Sequence, residues 1–237
     1  MVTEIESEAR VISTGNSEID QKLGGGIPVG SLVLMEGQPD SGKSVLCQHF
    51  SHGALTAKMS MVYYTTENTV KSLMTQMSSL NLDVTDYFLC DRLRVYPILA
   101  TEGTDSALAF QLLLAHFETL PVTTNLIIVD SLTSLVTHGE EQAVIDFFTA
   151  CKQLCDYGRT IIAVVHSNGF DDEMLIRVRS MCDAHITLRM DQVADRLVKV
   201  MEVAKIRNAD QATGNIISFD VEPGIGMKII PIPKAQG

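Results

Sequence analysis

The chain has 237 residues, with 18 Lys and Arg against 29 Asp and Glu, which gives a formal net charge of −11 at pH 7. This length suits a single domain over residues 1–237 that can bury a sizeable core, and the acidic balance argues against a broad nucleic-acid surface, which needs clustered cations. No apolar stretch is long enough for a transmembrane helix, and the acidic N-terminal segment has no apolar signal core, so we expect a cytoplasmic protein.

The N-terminal half of the chain predicts strands that alternate with helices. A glycine-rich approach over residues 24–30 leads to an apolar strand at 31–35, and a loop separates this strand from a helix-like stretch that begins at Val45. Apolar periodicity then predicts two more strands and two more helices, the last with Asp105 or Ser106 near its N-cap. These elements cover residues 61–64 (strand), 70–80 (helix), 93–96 (strand) and 105–120 (helix).

The C-terminal half contains two continuous apolar runs, at 126–130 and 160–165, which are typical of strands buried on both faces in parallel sheets. Between them, residues 140–157 predict a helix that ends at Gly158 as its C′ residue. The pattern then changes to short strands without intervening helices, at residues 184–188, 197–206, 216–221 and 227–230. We therefore predict an α/β fold, a mainly parallel, doubly wound sheet flanked by helices, with a C-terminal antiparallel strand extension at one sheet edge.

Cysteine and histidine spacing gives little support for a metal site. The five cysteines are scattered and form no C-x-x-C pair, as expected for a reducing compartment. Cys151 and Cys155 are four residues apart on a predicted helix. We expect buried free thiols there; the alternative is that the two cysteines bind a metal together. His49 and His52 have no thiolate or carboxylate at ligand spacing, so we interpret them as ordinary helix residues.

The strand at 31–35 leads into a match to the P-loop pattern G-x-x-x-x-G-K-[ST]. The eight residues are Gly37, Gln38, Pro39, Asp40, Ser41, Gly42, Lys43 and Ser44. In the context of strand, glycine loop and helix, backbone N–H groups surround the phosphates and the helix N-terminus adds its positive dipole end. Lys43 then reaches the β- and γ-phosphates, and the Ser44 hydroxyl ligates Mg²⁺. The sequence predicts a nucleoside triphosphate site built from Gly37 to Val45.

Two acids at the ends of predicted strands are candidates for chemistry on that nucleotide. Asp130 closes a buried strand, where a carboxylate can hold Mg²⁺ through water opposite Ser44; capping a loop or helix is the alternative. Glu67 ends the strand after the P-loop helix, where a general base can reach the attacking water; a solvated loop glutamate is the alternative. We therefore assign Ser44 and Asp130 to the metal, and Glu67 and Lys43 to catalysis.

Two further groups of polar residues have open roles. His166, Ser167 and Asn168 follow the strand after Asp130, where a polar side chain either senses the γ-phosphate or caps the strand end. Lys205 and Arg207 lie far along the chain from the P-loop, with both cations on one face if the segment is a strand. They suggest a finger supplied to the nucleotide of a neighbouring subunit, whereas charges on a solvated edge strand are the alternative.

These segments together resemble the RecA-like ATPases of the KaiC family. The resemblance spans almost the whole chain and is carried by residues 14–20, 23–30, the P-loop, Glu67, 126–131 and 205–207. Within that family, the sequences Thr-Thr-Glu-Asn at 65–68 and Arg-Ser-Met-Cys-Asp at 179–183 are similar to the accessory ATP-binding proteins of the archaellum, the rotating filament of archaea.

The resemblance implies a RecA/KaiC-like core that binds ATP and Mg²⁺ and assembles into a ring, hexameric in this type of protein. It implies a place at the cytoplasmic face of the membrane, at the base of the motor. There the ring would dock against the archaellum assembly ATPase FlaI and the membrane platform protein FlaJ, with membrane contact only through these partners and no nucleic acid. The Lys-x-Arg that acts between subunits in the family maps onto Lys205 and Arg207.

One departure from the family pattern affects the expected activity. KaiC-like domains carry two adjacent acids after the second strand; Glu67 matches the first, but Asn68 stands at the second position. Because Asn68 can neither accept a proton nor add negative charge beside Glu67, we expect at most slow ATP hydrolysis and a regulatory role. The alternatives are a KaiC-like autokinase in signalling and a RecA-like DNA-dependent ATPase.

Overall fold

A computed structural model describes residues 11–98, 105–137, 139–193, 196–209 and 215–230 of the chain. In the first half its elements are β1 (Val11–Ile12), α1 (Ser17–Lys22), β2 (Ile27–Pro28), β3 (Leu32–Gly37), α2 (Lys43–Thr56), β4 (Ser60–Thr65), α3 (Val70–Ser79), α4 (Thr85–Leu89), β5 (Leu93–Pro97) and α5 (Ser106–Thr119). The second half contains β6 (Thr124–Asp130), α6 (Thr133–Val136), α7 (Glu141–Asp156), β7 (Thr160–His166), α8 (Asp172–Met181), β8 (Ala184–Val193), β9 (Arg196–Ile206), β10 (Ile216–Glu222) and β11 (Gly226–Ile230).

Within these described residues, nine strands form one sheet in the order β11-β10-β9-β8-β3-β7-β6-β4-β5, and β1 pairs with β2 separately. The strands from β8 to β5 run parallel, whereas β9, β10 and β11 add antiparallel pairs. The predicted mainly parallel sheet with C-terminal antiparallel strands is confirmed. One detail differs from the prediction: β8 pairs in parallel with β3, so antiparallel pairing begins only at β9. The P-loop strand β3 is therefore central.

Helices cover both faces of the sheet. Alternate side chains of each strand point to opposite faces, so strands that are apolar throughout form one core on each side. In β3, Val33 and Met35 join a core with α2 and α3, whereas Leu32 and Leu34 join a second core with α5, α7 and α8. Every residue of β3 is buried. The carboxyl ends of β3, β6 and β7 consequently meet at one edge of the sheet, where open α/β sheets bind their ligands.

Two predicted helix ends are confirmed by their hydrogen bonds. The Asp105 side chain caps α5 by accepting a bond of 3.1 Å from the Leu108 N–H. Gly158 follows α7 with φ of 94°, a left-handed conformation that glycine adopts without a Cβ penalty, and its N–H bonds to the Cys155 carbonyl at 2.8 Å.

The helix α8 was absent from the sequence prediction, which placed no helix between β7 and β8. Its buried side is narrow and consists of Met174, Leu175 and Val178, so the apolar periodicity was weak. The terminal features were nevertheless present: Asp171 is the N-cap and accepts a bond of 2.8 Å from the Met174 N–H, with acids in the first turn and Arg179 in the last. None of the helices in the described ranges is long and apolar enough to cross a membrane.

Candidate nucleotide-binding site

The P-loop begins where β3 runs into the end of β8. A Cβ added to Gly37 would lie 2.1 Å from the Leu188 carbonyl oxygen, so only glycine fits there. The Gln38 N–H donates to the same Leu188 carbonyl at 3.2 Å, and the Gln38 side-chain oxygen accepts from the Met190 N–H at 2.9 Å. These contacts hold the first residues of the loop in place against the neighbouring strand.

The loop ends at Gly42, which is the N-cap of α2 and has φ of 98°. The ring of Phe219 from β10 packs against Gly42 and would lie 3.0 Å from a Cβ added there. The buried Ser41 hydroxyl donates to the Gln38 carbonyl at 2.7 Å and closes the turn. The first N–H groups of α2 have no carbonyl of their own helix to bond, and with the helix dipole they form an anion site at the loop.

Lys43 is buried beside this loop. Its Nζ donates to the Gly37 carbonyl at 3.0 Å and to the Gln38 carbonyl at 2.6 Å. Burial lowers the pKa of Lys43, although the charges of Asp130 and Glu67 oppose that shift. The ammonium group is thus held between the loop carbonyls and the cavity that Lys43 lines.

Asp130 stands at the end of β6 and is only 4% exposed. The Tyr63 hydroxyl donates to its Oδ2 at 2.7 Å. Burial raises the pKa of Asp130, and hydrogen bonds from Tyr63 and Ser44 oppose that shift. A serine hydroxyl and a carboxylate in contact beside a phosphate loop supply the hard oxygen donors that Mg²⁺ prefers, so the residues present fit this metal.

A cavity of about 540 Å³ opens beside the loop, within the range of small-molecule sites. From the P-loop region, Pro39, Asp40, Gly42, Lys43, Ser44 and Val45 line it, together with Glu67, Asp130 and His166. Two more lining residues, Lys199 and Val221, come from β9 and β10. The sequence prediction missed both, because they reach the cavity only through the antiparallel register, in which Lys199 lies opposite Met190 and Phe219.

Glu67 lies on the rim of this cavity, with its side chain 58% exposed and Oε1 3.9 Å from the Nε2 of His166. Burial is the main cause that lowers the pKa of His166, and the charge of Lys43 adds to it. Of the predicted trio after β7, His166 is the residue that lines the cavity; Ser167 bonds the Gly37 carbonyl through its N–H at 3.1 Å, and Asn168 is exposed.

Asn68 faces away from the cavity. Its side-chain oxygen accepts hydrogen bonds from the Ser72 hydroxyl at 3.0 Å and from Gln76 Nε2 at 2.9 Å, both on α3. Its own N–H donates to the Thr65 hydroxyl at 3.0 Å. The side chain at the second acidic position of the family pattern is therefore held by α3.

Lys205 and Arg207 do not line the cavity of their own chain. Lys205 Nζ donates to the Arg179 carbonyl at 2.9 Å, and Arg207 donates to the Ser180 carbonyl at 3.4 Å and pairs with Asp183 at 3.6 Å. Both cations thus sit at the C-terminal end of α8, where the helix dipole favours positive charge. Lys205 lies six residues after Lys199 on β9, about 20 Å along an extended strand.

A buried ionic cluster lies directly before the P-loop. Glu36 accepts hydrogen bonds from Arg179 Nε at 3.2 Å and from Arg179 Nη2, and it lies 3.4 Å from both His185 Nε2 and the Thr187 hydroxyl. Burial disfavours its ionised form, but the hydrogen bonds and charges of His185 and Arg179 outweigh burial and hold the pKa of Glu36 below its ordinary value. This cluster joins the last turn of α8 to the strand that ends in the loop, and the sequence analysis did not predict it.

The remaining histidine and cysteine predictions concern side chains outside the cavity. Cys151 and Cys155 are buried and free, as expected. The described part of the chain contains no group of three or more His, Cys, Asp or Glu placed to hold a metal ion. His49 is more than an ordinary helix residue, because its Nε2 accepts a bond of 2.9 Å from the Met227 N–H and so ties α2 to β11.

Comparisons with known proteins agree with this geometry. A model of the KaiC ATPase family matches residues 12–234. The chain is 31% identical over 229 residues to the archaeal flagellar ATP-binding protein FlaH of Sulfolobus acidocaldarius, covering 95% of this chain and 99% of that protein. It resembles the crystal structure of the flagellar accessory protein FlaH from Methanocaldococcus jannaschii with a TM-score of 0.84 at 25% identity, covering 94% of this chain and 100% of that one. A KaiC-like protein from Pyrococcus horikoshii shares the fold, with a TM-score of 0.75 at 19% identity over 94% of this chain and 99% of that one.

Proposed function

The chain belongs to the KaiC family of ATPases, and from that premise we propose that it is an ATP-binding accessory subunit of an archaellum motor. One observation carries the proposal: Lys43, Ser44 and Asp130 surround a single cavity in a chain whose similarity to an archaeal flagellar ATP-binding protein covers 95% of its length. ATP occupancy, more than ATP turnover, is the working event in this proposal.

The P-loop residues hold the nucleotide in the following way. The unpaired backbone N–H groups of the loop and of the first turn of α2 would surround the phosphates, and Lys43 would move from its two loop carbonyls to the β- and γ-phosphate oxygens. Ser44 and Asp130 would hold Mg²⁺, which would neutralise phosphate charge when bound. Lys199 adds a second cation of the same chain on the wall formed by β9.

Slow hydrolysis follows from the surroundings of Glu67. This candidate base has a side chain 58% exposed to solvent, so water competes for it and the site lacks the closed environment that strengthens catalytic electrostatics. The second position, Asn68, is bound to Ser72 and Gln76 on α3. Neither an adjacent acid nor a closed pocket supports Glu67 in this subunit alone.

Subunit contacts would complete the site. Lys205 lies about 20 Å along β9 from Lys199 on the wall of its own cavity, and Arg207 lies beyond the end of β9, which suits cations that serve a nucleotide across a subunit boundary. We propose a ring, hexameric by family resemblance, that docks on the assembly ATPase FlaI and the platform protein FlaJ at the cytoplasmic face of the membrane. Membrane contact then runs through these partners.

The test is ATP-dependent assembly measured by light scattering on the wild type, Lys43→Ala and Lys228→Ala. Lys228 is a matched control, because it pairs with Glu222 at 2.9 Å on the surface of β11 and does not line the cavity. We expect ATP to drive assembly of the wild type and Lys228→Ala but not of Lys43→Ala. Assembly of Lys43→Ala with ATP at the wild-type level would contradict nucleotide-gated ring formation.

A further inference from the structure

The buried hydroxyl of Tyr63 contacts the candidate metal ligand Asp130. Tyr63 lies on β4 and is 1% exposed. Its Cα pairs with Ile128, two residues before Asp130 on the neighbouring strand β6. The two side chains therefore point to the same face of the sheet, and the Tyr63 hydroxyl donates to Asp130 Oδ2 at 2.7 Å.

This contact restricts the orientation of the carboxylate. Asp130 is itself only 4% exposed, so few waters compete for its oxygens, and a hydrogen bond to a charged acceptor is strong in such surroundings. Tyr63 holds Oδ2 and so fixes the plane of the carboxylate, which also accepts a hydrogen bond from Ser44. Groups that orient metal ligands in this way commonly change metal affinity by about 10–100-fold when they are removed.

We propose that Tyr63 is a positioning residue for the metal site: its hydroxyl holds the Asp130 carboxylate in the orientation that shares Mg²⁺ with Ser44. This inference rests on the proposed role of Asp130 as a metal ligand. The nucleotide site thereby depends on one hydroxyl inside the core, on the strand whose carboxyl end leads to Glu67.

The next residue in the chain supplies a matched control. Tyr64 is 2% exposed and points to the opposite face of β4, where its hydroxyl bonds His116 Nδ1 at 2.8 Å. Tyr64→Phe and Tyr63→Phe each remove one buried hydroxyl and one hydrogen bond while the ring remains to fill the space. They have similar costs to folding, since each leaves one polar partner without its hydrogen bond, but only Tyr63→Phe frees Asp130.

The experiment measures ATP binding by calorimetry as a function of free Mg²⁺, and separately with the metal chelated, on the wild type, Tyr63→Phe, Tyr64→Phe and Asp130→Asn. Thermal melts of each variant without nucleotide confirm that binding is measured on folded protein. We expect Tyr63→Phe to raise the Mg²⁺ concentration at half-maximal binding about tenfold. Metal-free ATP binding should stay unchanged, and Tyr64→Phe should behave as the wild type.

A double variant separates positioning from a general effect on the fold. If Tyr63 acts through Asp130, Tyr63→Phe added to Asp130→Asn should shift the Mg²⁺ midpoint no further than Asp130→Asn alone. Equal Mg²⁺ midpoints for Tyr63→Phe and Tyr64→Phe, or additive shifts in the double variant, would overturn the inference. Failure of the underlying function looks different: the wild type would then bind no ATP, or Asp130→Asn would leave the Mg²⁺ dependence unchanged.

Discussion

His49 connects the P-loop helix to the C-terminal strands, and we predict that this connection makes the folded chain sensitive to acid. The side chain is 3% exposed, and its Nε2 accepts the Met227 N–H, which requires an unprotonated Nε2. Burial lowers the pKa of His49 from 6.5 to about 4. Protonation would therefore break the contact between α2 and β11, close to the strands that supply Lys199 and Val221.

The sign and size of the effect follow from proton linkage. Between pH 6.5 and about 4 the unfolded chain binds a proton at His49 that the folded chain does not. The contribution of His49 to the free energy of unfolding is therefore at its maximum above pH 6.5. It decreases as the pH falls from 6.5 towards 4 and does not change further below that value. At about 1.4 kcal/mol for each pH unit in that interval, the total loss approaches about 3 kcal/mol.

Urea denaturation at a series of pH values checks this prediction on the wild type, His49→Gln and His52→Gln. Glutamine retains an acceptor for the Met227 N–H but does not titrate, and His52 is a partly buried control on the same helix. We expect the difference in unfolding free energy between the wild type and His49→Gln to change by about 3 kcal/mol across the interval. Parallel profiles for these two proteins would refute the reasoning, because every other titrating group is common to both.

Three further outcomes follow from the site. Lys199→Met should weaken ATP binding about tenfold or more, since a charge-assisted contact is lost from the cavity wall. Equilibrium dialysis measures the affinity, with Lys228→Met as the control. Equal ATP affinities of the two variants would contradict the prediction. Arg179→Met should lower the free energy of unfolding by about 2 kcal/mol, because the buried Glu36 carboxylate loses a partly exposed ionic partner. Denaturant titration measures this loss. A loss under about 0.5 kcal/mol would show that His185 alone stabilises the Glu36 carboxylate. Asn68→Glu should raise single-turnover hydrolysis less than about tenfold, since the side chain at this position faces α3, whereas a gain of about 10²-fold would indicate a new general base.

The parts of the site that are contiguous in sequence could be predicted, and the parts assembled by strand register could not. The P-loop, its strand and its helix follow one another in the chain, and Asp130 closes an apolar run, so local pattern identified them. Lys199 reaches the cavity only because β8, β9 and β10 pair in a particular antiparallel register. No local feature of the sequence distinguishes Lys199 from the other lysines of this acidic chain.

The same physical reason explains the unpredicted contacts of Tyr63 and Glu36. Tyr63 lies within a strand predicted from the sequence, and Glu36 directly follows another. The partner that each side chain meets, however, depends on how neighbouring strands pair. The partner of Glu36, Arg179, lies on a helix whose apolar stripe was too narrow to detect.

The measurement that tests the central claim most directly combines ATP affinity with single-turnover hydrolysis of the wild-type protein in Mg²⁺, without partners. If the protein is a switch controlled by ATP occupancy, it should bind ATP tightly and hydrolyse the bound ATP far more slowly than typical enzymes turn over, which is about 1–10³ s⁻¹. Brisk turnover by the isolated protein would contradict this account, because it would mean that an exposed Glu67 without a neighbouring acid suffices for catalysis. ATP binding too weak to measure would contradict the assignment of Lys43, Ser44 and Asp130 as ligands.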